Sequence, residues 1–149
     1  MKSKAKLKLE RLAHANQLIR IISSHGRRFF FNETHDRIAE LVLCSRGRVW
    51  FLDDYTGKLI YTHKTTLTNK WRGFSHGGTL RNLVEMMRDY IVNGWPIREW
   101  YLGQERDFTD GNVWGYSQEA IEAVRTDAAR LPIIISAVNA GQHTQGERG

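Results

Sequence analysis

The chain has 149 residues, of which 41% are hydrophobic and 26% charged, with one cysteine and a formal net charge of +6. That length suits a single domain with a buried core and an attached end segment or two, and the composition is that of an ordinary globular protein. Cys44 alone excludes an internal disulfide and a cysteine-pair zinc site, and the apolar run from Leu131 to Ile135, broken by Pro132, is far too short to cross a bilayer.

Glu10, Arg11 and His14 interrupt the apolar stretch that a signal peptide would need, so a cytoplasmic, membrane-free protein is expected. The charge is unevenly placed. Lys2, Lys4, Lys6, Lys8, Arg11, Arg20, Arg27 and Arg28 stand against Glu10 alone, which leaves +7 in residues 1–28 and −1 in the remainder. A basic arm over residues 1–8 on a nearly neutral body suits phosphate backbones or acidic partners, and equally suits a solvated terminus.

Leu12, Ala15, Leu18, Ile19 and Ile22 share one helical face, which predicts a helix over residues 6–23 ending before Gly26. Four segments rich in aromatic and branched residues follow: Arg27 to Phe31, Arg37 to Cys44, Arg48 to Asp53 and Leu59 to His63. The turn signals between them, Asn32 to Asp36, Ser45-Arg46-Gly47 and Asp54 to Gly57, are short enough to require antiparallel pairing.

Leu80, Leu83, Val84, Met87 and Ile91 form the stripe of a second helix stopped by Gly94 and Pro96. Trp100-Tyr101 reads as a short edge strand. Ser117 reads as the N-cap of a third helix with the stripe Ile121, Val124 and Ala128, ending at Pro132. The expected architecture is α+β, a three- to four-stranded antiparallel meander with helices on one face in the order α-β-β-β-β-α-α. It occupies residues 1–138, with a flexible tail over 139–149.

Nine of the sixteen aromatic residues lie between Phe29 and Phe74. Arg48 and Trp50 alternate onto one strand face, and Tyr61 and His63 onto another. If the two faces coincide in solvent they make a basic-aromatic platform able to stack bases; otherwise these rings are core or cross-strand pairs. Asp53-Asp54 would suit a divalent cation with a third carboxylate, but Asp54-Tyr55-Thr56-Gly57 has the residues of a tight turn, and turn chemistry is the stronger reading. No two of the six histidines have the spacing of a zinc-hydrolase helix, and the single H-x-T triplet at His63 lacks the second that two-histidine phosphoesterases use.

In "WRGFSHGGTLRNLV", residues 71–84, Gly77 and Gly78 allow a sharp turn, and Ser75 or Thr79 can cap the helix start. The helix amides, Arg72 and His76 would then favour an anion. The same residues also make an ordinary connector, and the ending of a P-loop is missing.

The segments "RLAHANQLIRIISSHGRRFF", "RGRVWFLDDYTGKLIYTH", "WRGFSHGGTLRNLV" and "MRDYIVNG" together resemble a family of small uncharacterised proteins encoded by bacteriophages and related mobile elements. The likeness covers roughly residues 10–95 and is weaker around Trp114-Gly115-Tyr116. No catalytic residue carries over. The resemblance implies a bacterial cytoplasm and binding to host nucleic-acid machinery, defence complexes included. The element order also resembles that of double-stranded-RNA-binding domains, but the second helix lacks their lysine-rich start.

The expectation is therefore a non-catalytic protein, without metal or cofactor, that binds nucleic acid or a host nucleic-acid-processing complex. Lys4, Lys6, Lys8, Arg11, Arg20, Arg27 and Arg28 would attach it electrostatically, and Arg48, Trp50, Arg72, His76 and Thr79 would contact the partner. The alternative is a small phosphodiester-cleaving enzyme with His76 as general acid or base and Arg72 in support. A structural or assembly protein is the third reading.

Overall fold

Ser3 opens the first helix by accepting a hydrogen bond from the Lys6 amide, and α1 runs Lys4–Ser23, two residues earlier than the apolar stripe alone predicts. This is a computed structural model, and it describes residues 3–26, 28–63, 71, 74–76, 78–102, 114 and 116–135, with the Trp100 side chain not included. Arg27, Arg72 and the expected tail over 139–149 lie outside the described residues.

The chain after α1 does not extend directly into a strand. Arg28 and Phe30 take left-handed backbone angles (φ 56° and 67°), which strand geometry forbids, so β1 shrinks to Phe31–Asn32. Such angles are unfavourable for residues with a Cβ. Here they are held by the Tyr116 hydroxyl, which accepts from the Phe29 amide and donates to the Ile22 carbonyl, and by the complete burial of Phe30. The expected strand over residues 37–44 divides at Ala39, whose amide bonds back to the Phe30 carbonyl. β2 (Arg37–Ile38) pairs with β1, while β3 (Glu40–Leu43) joins β4 (Val49–Leu52) and β5 (Leu59–Tyr61) in an antiparallel meander.

The register places Leu41, Phe51 and Ile60 in one buried row, with Val49 on the same face, against α1 and the second helix α2 (Gly78–Asn93). Asn16 fixes α1 to the sheet. Its amide donates to the Leu41 carbonyl (2.9 Å) and its oxygen accepts from the Leu41 amide (2.7 Å). A buried side chain thereby takes the place of a fourth strand at the edge of β3, leaving that residue's backbone groups satisfied.

The Leu80, Leu83, Val84, Met87 and Ile91 stripe is buried as the sequence implies, and α2 ends at Gly94 in a left-handed conformation. Trp100-Tyr101 is not an edge strand. β6 is Ile97–Arg98, and Glu99–Tyr101 closes into a 3₁₀ turn. β6 pairs in parallel with β7 (Ile134–Ile135), a strand the sequence pattern did not reveal, and α3 (Gln118–Ala128) with Ser117 as its cap lies between them in the chain. No helix among the described residues is long and apolar enough to cross a membrane.

Candidate functional site

The β4–β5 turn places two adjacent aspartates in different surroundings. Asp53 Oδ2 accepts from the Tyr55 and Thr56 amides and from the Thr56 hydroxyl, while Oδ1 accepts from the Ser75 amide and hydroxyl (2.9 Å each). Burial pushes its carboxyl up, but these donors outweigh burial and hold it below the ordinary aspartate value. Asp53 thus serves the turn, and also ties it to the segment before α2.

Asp54 is fully buried, and its Oδ1 lies 2.7 Å from His76 Nε2. Its Oδ2 has no partner among the described residues. The His76 ring sits among Phe29, Phe30, Tyr55 and Phe74, with centroids 5.1–6.3 Å away, and its side chain is 7% exposed. His76 therefore points into the molecule rather than toward an anion at the helix start. Of the two expected caps, Ser75 gives its hydroxyl to Asp53, and Thr79 is exposed inside α2.

Sequence reasoning made Asp54 the first residue of the turn, whereas Asp53 holds the turn and Asp54 is left to His76. The available signal was the second acid in a chain segment crowded with phenylalanines, where an unpaired charge would be costly.

The other end of the meander is basic and aromatic. Trp50 and Tyr61 are directly paired on the face away from α1 and α2, with ring centroids 4.9 Å apart, and Tyr61 lies 5.2 Å from His63. The two strand faces do coincide, and all three rings are half-buried. His63 Nε2 accepts from the Val49 amide (3.0 Å), which puts its proton on Nδ1. Burial, with Arg88, Arg48 and Lys8 nearby, holds His63 below the usual histidine value.

Lys8 reaches the Gly47 carbonyl, and Arg88 donates to the Thr62 carbonyl while also bonding Asp89. The Arg48 and Arg46 backbone amides, and then the Trp50 indole, pull the Cys44 thiol below its usual value.

Of the expected contact residues, the fold brings Lys8 and Arg48 to the His63 end of the meander, beside Trp50, and puts His76 at the β4–β5 turn. Lys4, Lys6 and Arg20 are exposed on α1. Arg11 instead donates to the Ile91 carbonyl and packs against Gly94, capping α2. Arg28 lies over the Phe31 ring at 4.0 Å and donates to the Ser23 carbonyl. No group of three metal-ligating side chains occurs among the described residues.

The family model for YoqU matches residues 5–142, almost the whole of this fold. The chain belongs to the YoqU family. A relative in Bacillus subtilis (strain 168), the SPbeta prophage-derived uncharacterized protein YoqU, is 32% identical over 126 residues, covering 85% of this chain and 84% of the relative. The likeness to phage-encoded proteins thus extends past residue 95 to include α3 and β7. No solved structure matches this YoqU-family chain.

Proposed function

We propose that this protein works by binding, not by chemistry, and that its target is single-stranded nucleic acid in a bacterial cytoplasm. The observation that carries the reading is the run of Trp50, Tyr61 and His63 rings on the solvent side of the sheet, beside Lys8, Arg48 and Arg88. Aromatic faces stack on bases of any sequence, and adjacent cations follow the phosphates.

The start of α1 supports the same reading. It carries Lys4 and Lys6 with no acidic residue in its first turn, an arrangement the helix dipole disfavours until an anion is bound.

Fluorescence anisotropy with labelled single-stranded DNA and RNA tests this. Binding should weaken about fivefold or more in Trp50→Ala, the usual cost of losing one stacked base. Recovery from a bacterial lysate of a defined protein complex that survives nuclease treatment, with no oligonucleotide binding, would replace nucleic acid by a host nucleic-acid-processing complex, a defence assembly included.

A phosphodiester-cleaving reading gains one point, since His76 has a carboxylate partner in Asp54. The same geometry weighs against it, because the ring is enclosed by three phenylalanines and Tyr55. Turnover of DNA, RNA or cyclic nucleotides that is abolished by His76→Ala would favour the enzyme.

A further inference from the structure

The helix-free face of the meander has the wrong polarity for a solvated surface. The outward positions are Glu40 and Val42 on β3, Trp50 and Leu52 on β4, and Leu59 and Tyr61 on β5. Every one but Glu40 is apolar or aromatic. An antiparallel sheet with one face on its core ordinarily alternates apolar and polar residues, which leaves the outer face polar. Leu59 is 53% exposed, and Val42, Trp50, Leu52 and Tyr61 are half-buried. Phosphates offer nothing to Leu52, to Leu59 or to the Glu40 carboxylate. A contiguous apolar patch of this kind marks a protein interface.

The charges point to what covers it. Glu40 begins β3, and Arg48 lies beyond the other end of that strand, where its carbonyl accepts from the Cys44 amide. Arg48 stands two residues before Trp50 and so shares its face. Glu40 and Arg48 are both exposed, and neither makes an ion pair among the described residues. The face thus carries an unpaired anion at one end and an unpaired cation at the other, with apolar rows between them. Such a surface is its own complement.

A copy turned about a two-fold axis across the strands, through the Val42–Trp50–Tyr61 row, sets Glu40 beside Arg48 of that copy twice over. An axis along the strands would instead stack Arg48 on Arg48, a like-charge contact. The crosswise axis also keeps the two basic arms at opposite ends of the pair, because Lys8 ties the start of α1 to the Gly47 carbonyl. We infer that the chain forms a two-fold dimer through this face, sheet on sheet, with Glu40 paired to Arg48 of the second copy. Sheets packed face to face lie about 10 Å apart, a gap that glutamate and arginine side chains bridge from opposite sides.

The dimer encloses Trp50 and Tyr61, so a second copy and a bound nucleic-acid strand exclude each other. That exclusion rests on the sheet-face reading proposed above; the dimer itself does not.

Sedimentation velocity of the full chain across the micromolar range tests it, with circular dichroism as the check on folding. Wild type should pass from monomer to dimer as concentration rises. Leu59→Lys, Glu40→Arg and Arg48→Glu, all at exposed positions, should each weaken association about tenfold or more, because each change occurs twice in a two-fold interface. Glu40→Arg combined with Arg48→Glu should restore it, since the exchanged charges face each other again.

A chain that stays monomeric up to millimolar concentration, or a dimer indifferent to Leu59→Lys, would overturn the inference. Single charge variants that weaken association without rescue in the double variant overturn the crosswise arrangement. Added oligothymidylate should convert the dimer to a monomeric complex, and oligothymidylate bound to an intact dimer overturns the exclusion. Oligothymidylate bound by a chain that is monomeric throughout means that the dimer fails and the platform stands. A dimer sensitive to Leu59→Lys that binds no oligonucleotide means the reverse.

Discussion

Asp53 and Asp54 share a charge and a turn, yet their neighbours give them opposite consequences. Five hydrogen bonds stabilise the ionised form of Asp53, so its folded-state carboxyl binds a proton less readily than the unfolded chain's. That contribution is fully present above the ordinary aspartate pKa of about 3.9 and is lost as pH falls through and below it. Asp53→Asn should therefore flatten the acid limb of stability against pH in urea titrations; parallel limbs for mutant and wild type would contradict this.

Asp54 depends instead on one neighbour. Removing the His76 ring leaves a buried carboxylate without its bond, so His76→Ala should cost on the order of 3 kcal/mol in chemical denaturation. Thr79→Ala, exposed on α2, should stay within about 0.5 kcal/mol. A His76→Ala loss below about 1 kcal/mol would return that side chain to the surface and restore the helix-start turn as a partner contact.

At the scale of elements, what could be read from the sequence was whatever repeats locally. The α2 stripe has helical period and is punctuated by Gly94 and Pro96, so both its face and its end were legible. The meander was legible because its turns are short. β1 was not, since the left-handed angles at Arg28 and Phe30 arise from the Tyr116 hydroxyl, some 87 residues away from Phe29. The β6–β7 pair escaped because two-residue strands have no period and parallel partners can lie far apart in sequence. The Asp54–His76 pair is also tertiary, joined across 22 residues by the packing of the turn against the start of α2.

The same distinction sets the energetics. Leu83→Ala and Met87→Ala should each lose about 2–5 kcal/mol, because both side chains are enclosed between α2 and the rest of the core. Trp50→Ala removes a half-buried cross-strand partner of Tyr61 and should cost only about 1 kcal/mol while weakening oligonucleotide binding. Unfolding of Trp50→Ala under native conditions would make the ring part of the core and end its role as a platform.

Across the whole molecule, charge and shape are aligned. The first 28 residues carry +7 and the remainder −1, and the fold delivers the start of α1 to the end of the sheet that holds Arg48, through the Lys8 hydrogen bond to Gly47. Removing Lys8 would confound binding with the breaking of that bond, and truncation would remove the Ser3 cap. Lys4→Gln with Lys6→Gln avoids both, since the two side chains are exposed.

If these lysines meet phosphates, the double variant should lower the slope of log affinity against log salt by about 0.7–0.9 for each phosphate no longer neutralised. Helix stability should hold or rise slightly, because two cations leave the positive end of the helix dipole. The two readouts separate the explanations: a solvated terminus would show the gain in stability with the salt slope unchanged, whereas a phosphate-binding terminus shows a shallower slope. A steeper slope would mean that the bound strand runs elsewhere on the molecule.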